Sequence, residues 1–333
     1  MKQLYGRVGL QDLCGLFGYS RQSYYKRQVR EEQLAFESAL VVDLVREERR
    51  NIVRIGGRKL FFMLGPELGR HQLKIGRDAF FEVLRANGLL ITRRKRRVVT
   101  TWSRHGLKTY PNLIRELRPL RPNELWVSDI TYIRVGDIWH YVIFITDAYS
   151  RMIVGYNVAD HMDAPFCVKA LDQALAQWID RTGPLIHHSD RGLQYCSALY
   201  SGKLLENHIH ISMTEHGDPL ENALAERVNG IFKQDFEMDQ NFENLTEAKN
   251  QIQNMVHHYN HTRPHASCDY LTPAQAHSKQ GLLPKRWQFL FVNELCCPEY
   301  GSKNPATVPL SLHLAWMFCF HIQNCKPILG PIL

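Results

Sequence analysis

The sequence predicts an α/β protein, a mixed sheet core flanked by helices and preceded by an all-α region of helix-turn-helix type. Two observations lead there. Residues 8 to 90 carry apolar residues at helical spacing, broken by Gly-containing turns, whereas from residue 124 the texture changes to short β-rich runs. Three such runs are joined by tight turns, and after them helix and strand patterns alternate. An antiparallel meander followed by alternating helices and strands makes a mixed sheet covered by helices.

In the helical region, VGLQDLCGLFGYSRQSYYKRQVR (8–30) reads as two short helices separated at Gly18, with Ser20 as the N-cap of the second. A longer amphipathic segment follows at about 31–50, with a stripe of Leu34, Ala35, Leu40, Val41 and Leu44. Residues 57–90 form a second two-helix unit, GRKLFFML and GRDAFFEVLRANGLL, around a loop containing Gly65, Pro66 and Gly69. Phe80, Phe81, Val83 and Leu84 of its second helix face inward. The strands ELWVSDITYIRV, IWHYVIFITDAYS and RMIVGYNVAD turn at Gly136-Asp137 and at Tyr149-Ser150-Arg151. Then come a helix marked by Val168, Leu171, Leu175 and Trp178, a strand PLIHHSD, a helix SALYSGKLLENH, a strand IHISMTE and a long helix PLENALAERVNGIFKQDF.

Charge divides the chain. Residues 1–120 hold 25 Lys and Arg against 11 Asp and Glu, net +14, while residues 121–333 hold 16 against 22, net −6. A basic front portion of this kind meets a polyanion, and nucleic acid is the candidate. The unbroken run Arg93, Arg94, Lys95, Arg96 and Arg97 repels itself unless an anion lies beside it, and reads as a DNA contact within an extended linker. With 44% hydrophobic and 22% charged residues the composition is globular, excluding a disordered or collagen-like chain. The N-terminus lacks the apolar core of a secretory signal, and no run of about 18 uncharged apolar residues occurs, so a cytoplasmic protein without membrane insertion is expected. Eight scattered cysteines with no C-x-x-C pair predict free thiols.

Three acids stand out. Asp129 interrupts a strand otherwise built for burial, and a buried unpaired carboxylate costs several kcal/mol, so it needs a reason to be there. Asp190 ends the strand PLIHHSD, where Arg191-Gly192 turns the chain and exposes it at the sheet rim. Glu226 lies on the long helix, with Asn222 one turn before it and Lys233 two turns after it on the same face. Singly, such acids cap turns or sit in solvent. Their spacing changes the reading: 60 residues separate Asp129 from Asp190, and 35 separate Asp190 from Glu226.

That D, D-x35-E spacing is the pattern of the DDE transposase and retroviral-integrase superfamily. The segments WVSDITYI (126–133), HSDRGLQYCS (188–197), SMTEHGDPLENALAERVNGIFK (212–233) and YNHTRPHASCDYLTPAQA (259–276) together resemble the OrfB transposase of IS3-family insertion sequences. The resemblance spans about residues 50–280. It implies an RNase H-like core with Asp129 on the first strand, Asp190 just after the fourth and Glu226 on a following helix. It further implies a DNA strand transferase that takes part in DNA recombination and integration at the terminal inverted repeats of an element and at target DNA.

Carboxylate oxygens suit two Mg²⁺ or Mn²⁺ ions, which activate the attacking water or 3′-hydroxyl and stabilise the leaving oxygen, so one site can both cut and join. Tyr195 and Ser189 then shape the site and are not nucleophiles. Lys233 matches the Lys or Arg that the family carries seven residues after its Glu, against the DNA backbone; Arg191 and Asn222 are further DNA-facing candidates. His187, His188, His257, His258, His261 and His265 lack the Cys partners of a zinc site, and Arg263 and His265 are expected to close the end of a helix against the core.

The resulting organisation is a helix-turn-helix-like segment at 1–50, a helix-turn-helix-like DNA-binding domain at 51–98, a basic linker at 99–120, the catalytic core at 121–285 and an atypical tail at 286–333. The tail, ending LSLHLAWMFCFHIQNCKPILGPIL, departs from the family pattern and reads either as an extra packed element or as the product of a frame change. The resemblance also implies a homo-oligomer assembled on DNA, an upstream-frame OrfA product or fusion, and a bacterial, nucleoid-associated location. Two other classes remain open on the residues alone: a metal-dependent nuclease without strand transfer, and a DNA-binding regulator with a silent core.

Overall fold

A computed structural model describes residues 9–92, 107–179, 181, 183–215 and 219–283. The basic run Arg93 to Arg97 and the tail from residue 286 lie outside the described residues.

The helical region begins with α1 (Leu10–Leu16), which is followed by Gly18 at φ +69° and then by α2 (Arg21–Asn51), whose N-cap Ser20 accepts a hydrogen bond from the Ser23 amide. α2 runs unbroken through the two segments read separately above, because no Gly or Pro falls between residues 21 and 51. Its exposed half is supported by i,i+4 pairs, Arg27 with Glu31, Gln28 with Glu32 and Gln33 with Glu37. The expected stripe is only partly buried. Leu34 remains 52% exposed, and the buried contacts come from Val41, Val42 and Val45.

Three helices follow: α3 (Gly57–Met63), α4 (Gly65–Arg70) and α5 (Arg77–Ala86). The stretch expected to be a loop is thus the helix α4. Pro66 lies in its first turn, where a missing N–H leaves no bond unmade, so the residue that suggested a loop instead starts a helix. On α5, Phe80 and Leu84 are fully buried, while Phe81 and Val83 pack half-buried against the same cluster.

The sheet is built on β1 (Leu125–Val135), β2 (Ile138–Asp147) and β3 (Ile153–Ala159), an antiparallel meander whose first hairpin turns at Gly136, φ +58°. α6 (Ala164–Gln177) crosses to β4 (Ile186–Ser189), which pairs parallel to β1. α7 (Leu193–Cys196) and α8 (Ala198–Glu206) lead to β5 (His210–Met213), parallel to β4. A 3₁₀ turn at Pro219–Asn222 opens α9 (Ala223–Asp235); β6 (Asn241–Phe242), α10 (Leu245–His261) and α11 (Pro273–His277) complete the described chain. The strand order is β3-β2-β1-β4-β5, with β6 pairing parallel to the far end of β1. This is the RNase H-like arrangement.

Side chains alternate along β1 and give the sheet two covered faces. Trp126 and Ile130 look toward α6 and α8, in a cluster with Phe166, Leu171, Tyr200 and Leu204. Ile133 and Val135 look the other way, in a cluster that includes Val228, Phe232 and Tyr259 and continues without a break into Val41, Ile52, Leu60 and Phe80 of the helical region. Residues 107–120 run without helix or strand, pinned to the core by Leu113 N–H donating to Ser212 Oγ at 2.9 Å and Asn112 N–H donating to Glu215 at 3.0 Å.

The contact between β3 and α6 depends on Gly155. A Cβ there would lie 2.2 Å from the Ala170 carbonyl oxygen and 3.0 Å from the Ala174 Cβ. Gly155→Ala is therefore expected to destabilise the fold by about 2 kcal/mol or more through overpacking. Urea unfolding measures this, and an unchanged midpoint would show that strand and helix separate at no cost.

Candidate active site

β1 has two parallel neighbours on one edge, β4 beside Leu125–Val127 and β6 beside Arg134–Val135. The stretch between them is unpaired on that side, and Asp129 lies in it. Its Oδ1 accepts the Ile130 amide at 2.9 Å, and its Oδ2 accepts the Asn229 side-chain amide, also at 2.9 Å.

The register of β1 with β4 sets Val127 opposite His188, so two further steps bring Asp190 alongside Asp129. Asp190 Oδ1 accepts the Gly192 amide at 3.0 Å. Burial, then the negative charge of Asp190 and more weakly that of Glu226, push the Asp129 carboxyl up to about 7, against the smaller opposing effect of its two hydrogen bonds. The three acids thus share one electrostatic neighbourhood.

α9 supplies the remaining parts from a single stripe. Asn222, Glu226, Asn229 and Lys233 recur at spacings of four, three and four residues, while Val228, Ile231 and Phe232 face the core. Asn222, 7% exposed, donates from its amide to the Ser128 carbonyl at 3.1 Å and so ties the start of α9 to β1. Glu226 in the first turn is exposed. Lys233 is half-buried; burial lowers its pKa, while Asp129 and Asp239 act to raise it. Arg191 is half-buried directly after Asp190. Asn229 was not anticipated, although it lies three residues from Glu226 on the same stripe, and that spacing is the signal that points to it.

The histidines beside the acids are structural. His187 bonds with Ser128 Oγ at 3.1 Å and Tyr200 Oη at 2.9 Å, and burial pushes its pKa down to about 3. His188 Nδ1 meets Ser212 Oγ at 2.8 Å, and burial lowers it to about 4. Tyr195 is buried with its pKa raised well above the ordinary phenol value by burial, and Ser189 donates to the Asp190 carbonyl at 3.0 Å. Arg263, 2% exposed, pairs with Asp235 at the end of α9 through Nε at 2.9 Å and Nη2 at 2.8 Å.

Among the described residues no three His, Cys, Asp or Glu side chains stand close enough to hold an ion between them. The donor chemistry fits a hard divalent cation nonetheless. The acids are all oxygen ligands, and Asn222 Oδ1 and Asn229 Oδ1 are buried with no hydrogen-bond partner, so the neighbourhood has acceptors and negative charge in excess.

Residues 119–219 match the integrase core domain family, and residues 207–273 match a second family of the same description. Of the curated proteins, the insertion element IS600 uncharacterized 31 kDa protein of Shigella sonnei is 31% identical, over 80% of this chain and 98% of its own length. The transposase InsF for insertion sequence IS3A of Escherichia coli (strain K12) is 30% identical, over 59% of this chain and 68% of its own. The chain belongs to the IS3 family of insertion-sequence transposases. Among solved structures, the HTLV-2 integrase catalytic core domain in complex with magnesium covers 49% of the chain and is itself covered in full, at 21% identity and a TM-score of 0.39.

The transposase is a DDE polynucleotidyl transferase, acting in DNA cleavage and strand transfer during insertion-sequence transposition. None of the transposase's described helices is long and apolar enough to cross a membrane.

Proposed function

We propose that Asp129, Asp190 and Glu226 are the catalytic carboxylates of this transposase, and that they hold two Mg²⁺ or Mn²⁺ ions. The observation that carries this reading is the raised pKa of Asp129, to about 7, caused by burial and by the two other acids. Such crowding of negative charge is unfavourable until a cation relieves it. When bound, the ions supply a nucleophile at neutral pH and stabilise the leaving oxygen of an in-line displacement.

The chain's own residues do the rest. β1 and β4 fix Asp129 and Asp190 side by side; Asn229 and the Ile130 amide hold the Asp129 carboxylate in one orientation; Asn222 fixes the helix that carries Glu226. In cleavage a water oxygen forms a bond to phosphorus as the bond to the 3′-oxygen breaks, leaving a 3′-hydroxyl. In strand transfer the oxygen of that hydroxyl forms a bond to a target phosphorus as the target's own bond from that phosphorus to its 3′-oxygen breaks, the proton passing to the released oxygen to give a target 3′-hydroxyl. Lys233, beside Asp129, takes the DNA backbone near the cut, with Arg191 close to the same acids, and Arg93, Arg94, Lys95, Arg96 and Arg97 bind DNA as well.

The helices within 1–98 bind the terminal inverted repeats of the element, and the core at 121–285 acts on the bound end and on target DNA. The active species is a homo-oligomer on DNA, with an upstream-frame OrfA product or fusion as partner, at the bacterial nucleoid. Glu226→Gln tests the catalytic assignment. In Mg²⁺, on DNA carrying the ends that flank the gene, the variant should lose both cleavage and joining by about 10³-fold or more, since a metal ligand is worth several kcal/mol in the transition state. Retained cleavage in the variant would remove Glu226 from the site.

A further inference from the structure

β5 stands at the end of the strand order, and the segment 111–115 lies along its last residues. The Met213 amide donates to the Pro111 carbonyl at 3.3 Å, and the Leu113 amide donates to Ser212 Oγ at 2.9 Å. The same segment then grips two acids, Glu215 just after β5 and Glu221 in the 3₁₀ turn that opens α9. Glu215 accepts the Asn112 main-chain amide at 3.0 Å and pairs with Arg115. Glu221 Oε1 accepts the Asn112 side-chain amide at 3.2 Å and lies 4.0 Å from Arg115 Nη2, while its Oε2 accepts the Glu215 amide at 2.7 Å. Asn112 is itself braced, its Oδ1 accepting the Ile114 amide at 3.0 Å.

A glutamate side chain is ordinarily solvated, yet that of Glu221 is only 12% exposed, with both carboxylate oxygens engaged by groups from outside its own turn. Its neighbour Asn222 is the N-cap of α9 but makes no side-chain cap bond to the helix; its amide donates to Ser128 of β1 instead. The start of α9 therefore lacks the local cap that usually fixes a helix end and depends on contacts from elsewhere in the fold. Two successive residues supply them, Asn222 to β1 and Glu221 to the segment 111–115. Glu226 follows in the first turn of the helix so held. Residues 107–120 also lead directly into β1, so one stretch of chain borders both the strand of Asp129 and the helix start that presents Glu226.

We propose that Glu221, Asn112 and Arg115 are positioning residues for the transposase reaction, which act through Glu226 by setting the first turn of α9 relative to β1. The segment that leads from the helical region into the core is then part of the frame of the active site. The proposal rests on the catalytic reading of Glu226 above and adds what holds that residue in place.

The test uses the full-length protein and double-stranded DNA carrying the ends that flank the gene. At saturating DNA, Glu221→Ala should slow single-turnover cleavage in Mg²⁺ about 10-fold to 100-fold, the cost of a small misplacement at a reacting group, with DNA affinity in EDTA unchanged. Without DNA, the Mg²⁺ dissociation constant read from the rise of unfolding free energy with Mg²⁺ should increase about 10-fold. A merely structural loss lowers that free energy equally at every Mg²⁺ concentration and leaves the constant unmoved. Asn112→Ala should shift both quantities in the same direction. Glu221→Gln turns one acceptor into a donor facing another donor and should share the defects. Adding Asn112→Asp gives the new donor an acceptor, and the double variant should return to within about 3-fold of wild type.

Wild-type cleavage and Mg²⁺ affinity in both alanine variants would overturn the proposal. So would lower stability with an unmoved Mg²⁺ dissociation constant, which would make the cluster a brace of the fold alone. Weaker DNA binding with an unchanged rate at saturation would overturn it too, by assigning these residues to the DNA interface. Glu226→Gln, measured in parallel, keeps the two readings apart. If it cleaves, the catalytic reading falls and the positioning role with it; if it is inactive while Glu221→Ala cleaves as the wild type does, only the positioning role falls.

Discussion

Asp129→Asn is expected to abolish cleavage and, in the metal-free protein, to raise stability at pH 8. The Asp129 carboxyl is pushed up to about 7 in the folded chain, by burial first and then by Asp190, against 3.8 for the free group. The folded state therefore binds this proton more tightly than the unfolded state. The contribution of the group to stability is complete below about pH 4 and is lost as pH rises through 7, where the folded chain must carry the buried charge. A shift of about three units corresponds to roughly 4 kcal/mol. Residual solvent contact at Asp129 and the loss of one of its two accepted hydrogen bonds reduce the expected gain in the Asn variant to roughly 2 kcal/mol.

Urea unfolding in EDTA at pH 4.5 and pH 8 measures this. The variant should gain on the wild type only at the higher pH, and an equal difference at both would show that Asp129 does not titrate as described. Mg²⁺ should stabilise the wild type and leave the variant unmoved, because a ligand that binds only the folded state raises its stability by mass action.

Asp235→Asn is expected to cost about 3–5 kcal/mol, the loss typical when one member of a buried ion pair is removed. Asp235 lies at the last turn of α9 and receives Arg263 at 2.8 and 2.9 Å and Lys59 at 3.3 Å, while its carbonyl accepts the Arg54 amide at 2.8 Å. It therefore joins α3, α9 and the segment after α10. Burial raises its pKa, but Arg263 and then Lys59 more than offset this and hold the carboxyl below its ordinary value. Its stabilising contribution is present above pH 4 and is lost as pH falls through the depressed folded value.

Lys59 is lowered to about 8, by burial first and by repulsion from Arg263, with Asp235 pulling the other way. One carboxylate facing two cations explains why the acid is well satisfied and the lysine is not. In the Asn variant Arg263, 2% exposed, loses its counter-charge. Chemical unfolding at pH 7 gives the loss, and a change below 1 kcal/mol would mean that water already neutralises the cluster. Replacing Asp235 and Arg263 together by Leu and Met should recover part of the loss, since removing both charges leaves neither unpaired.

Much of the core was legible from the residues. The meander and the parallel strands after it follow from alternation and from the switch of period, both of which are local properties of the chain. Errors in the helical region have local causes too. Pro66 suggests a loop, although in a first turn it costs no hydrogen bond, and the second helix of 8–30 and the segment 31–50 share one helix because no Gly or Pro falls between residues 21 and 51.

Determined by the sequence itself were the fold class and the family, because each rests on residue type and order. Decided only by the tertiary structure were the parts that depend on which surfaces meet. Asn229 holds Asp129 across 100 residues, Asn222 anchors to Ser128 across 94, and Arg263 reaches Asp235 across 28. The pKa of Asp129 belongs to the same class: a carboxyl is ordinary in the chain and perturbed only when folding buries it beside two others. Burial and the convergence of like charges are properties of packed surfaces, and no spacing along the chain encodes them directly.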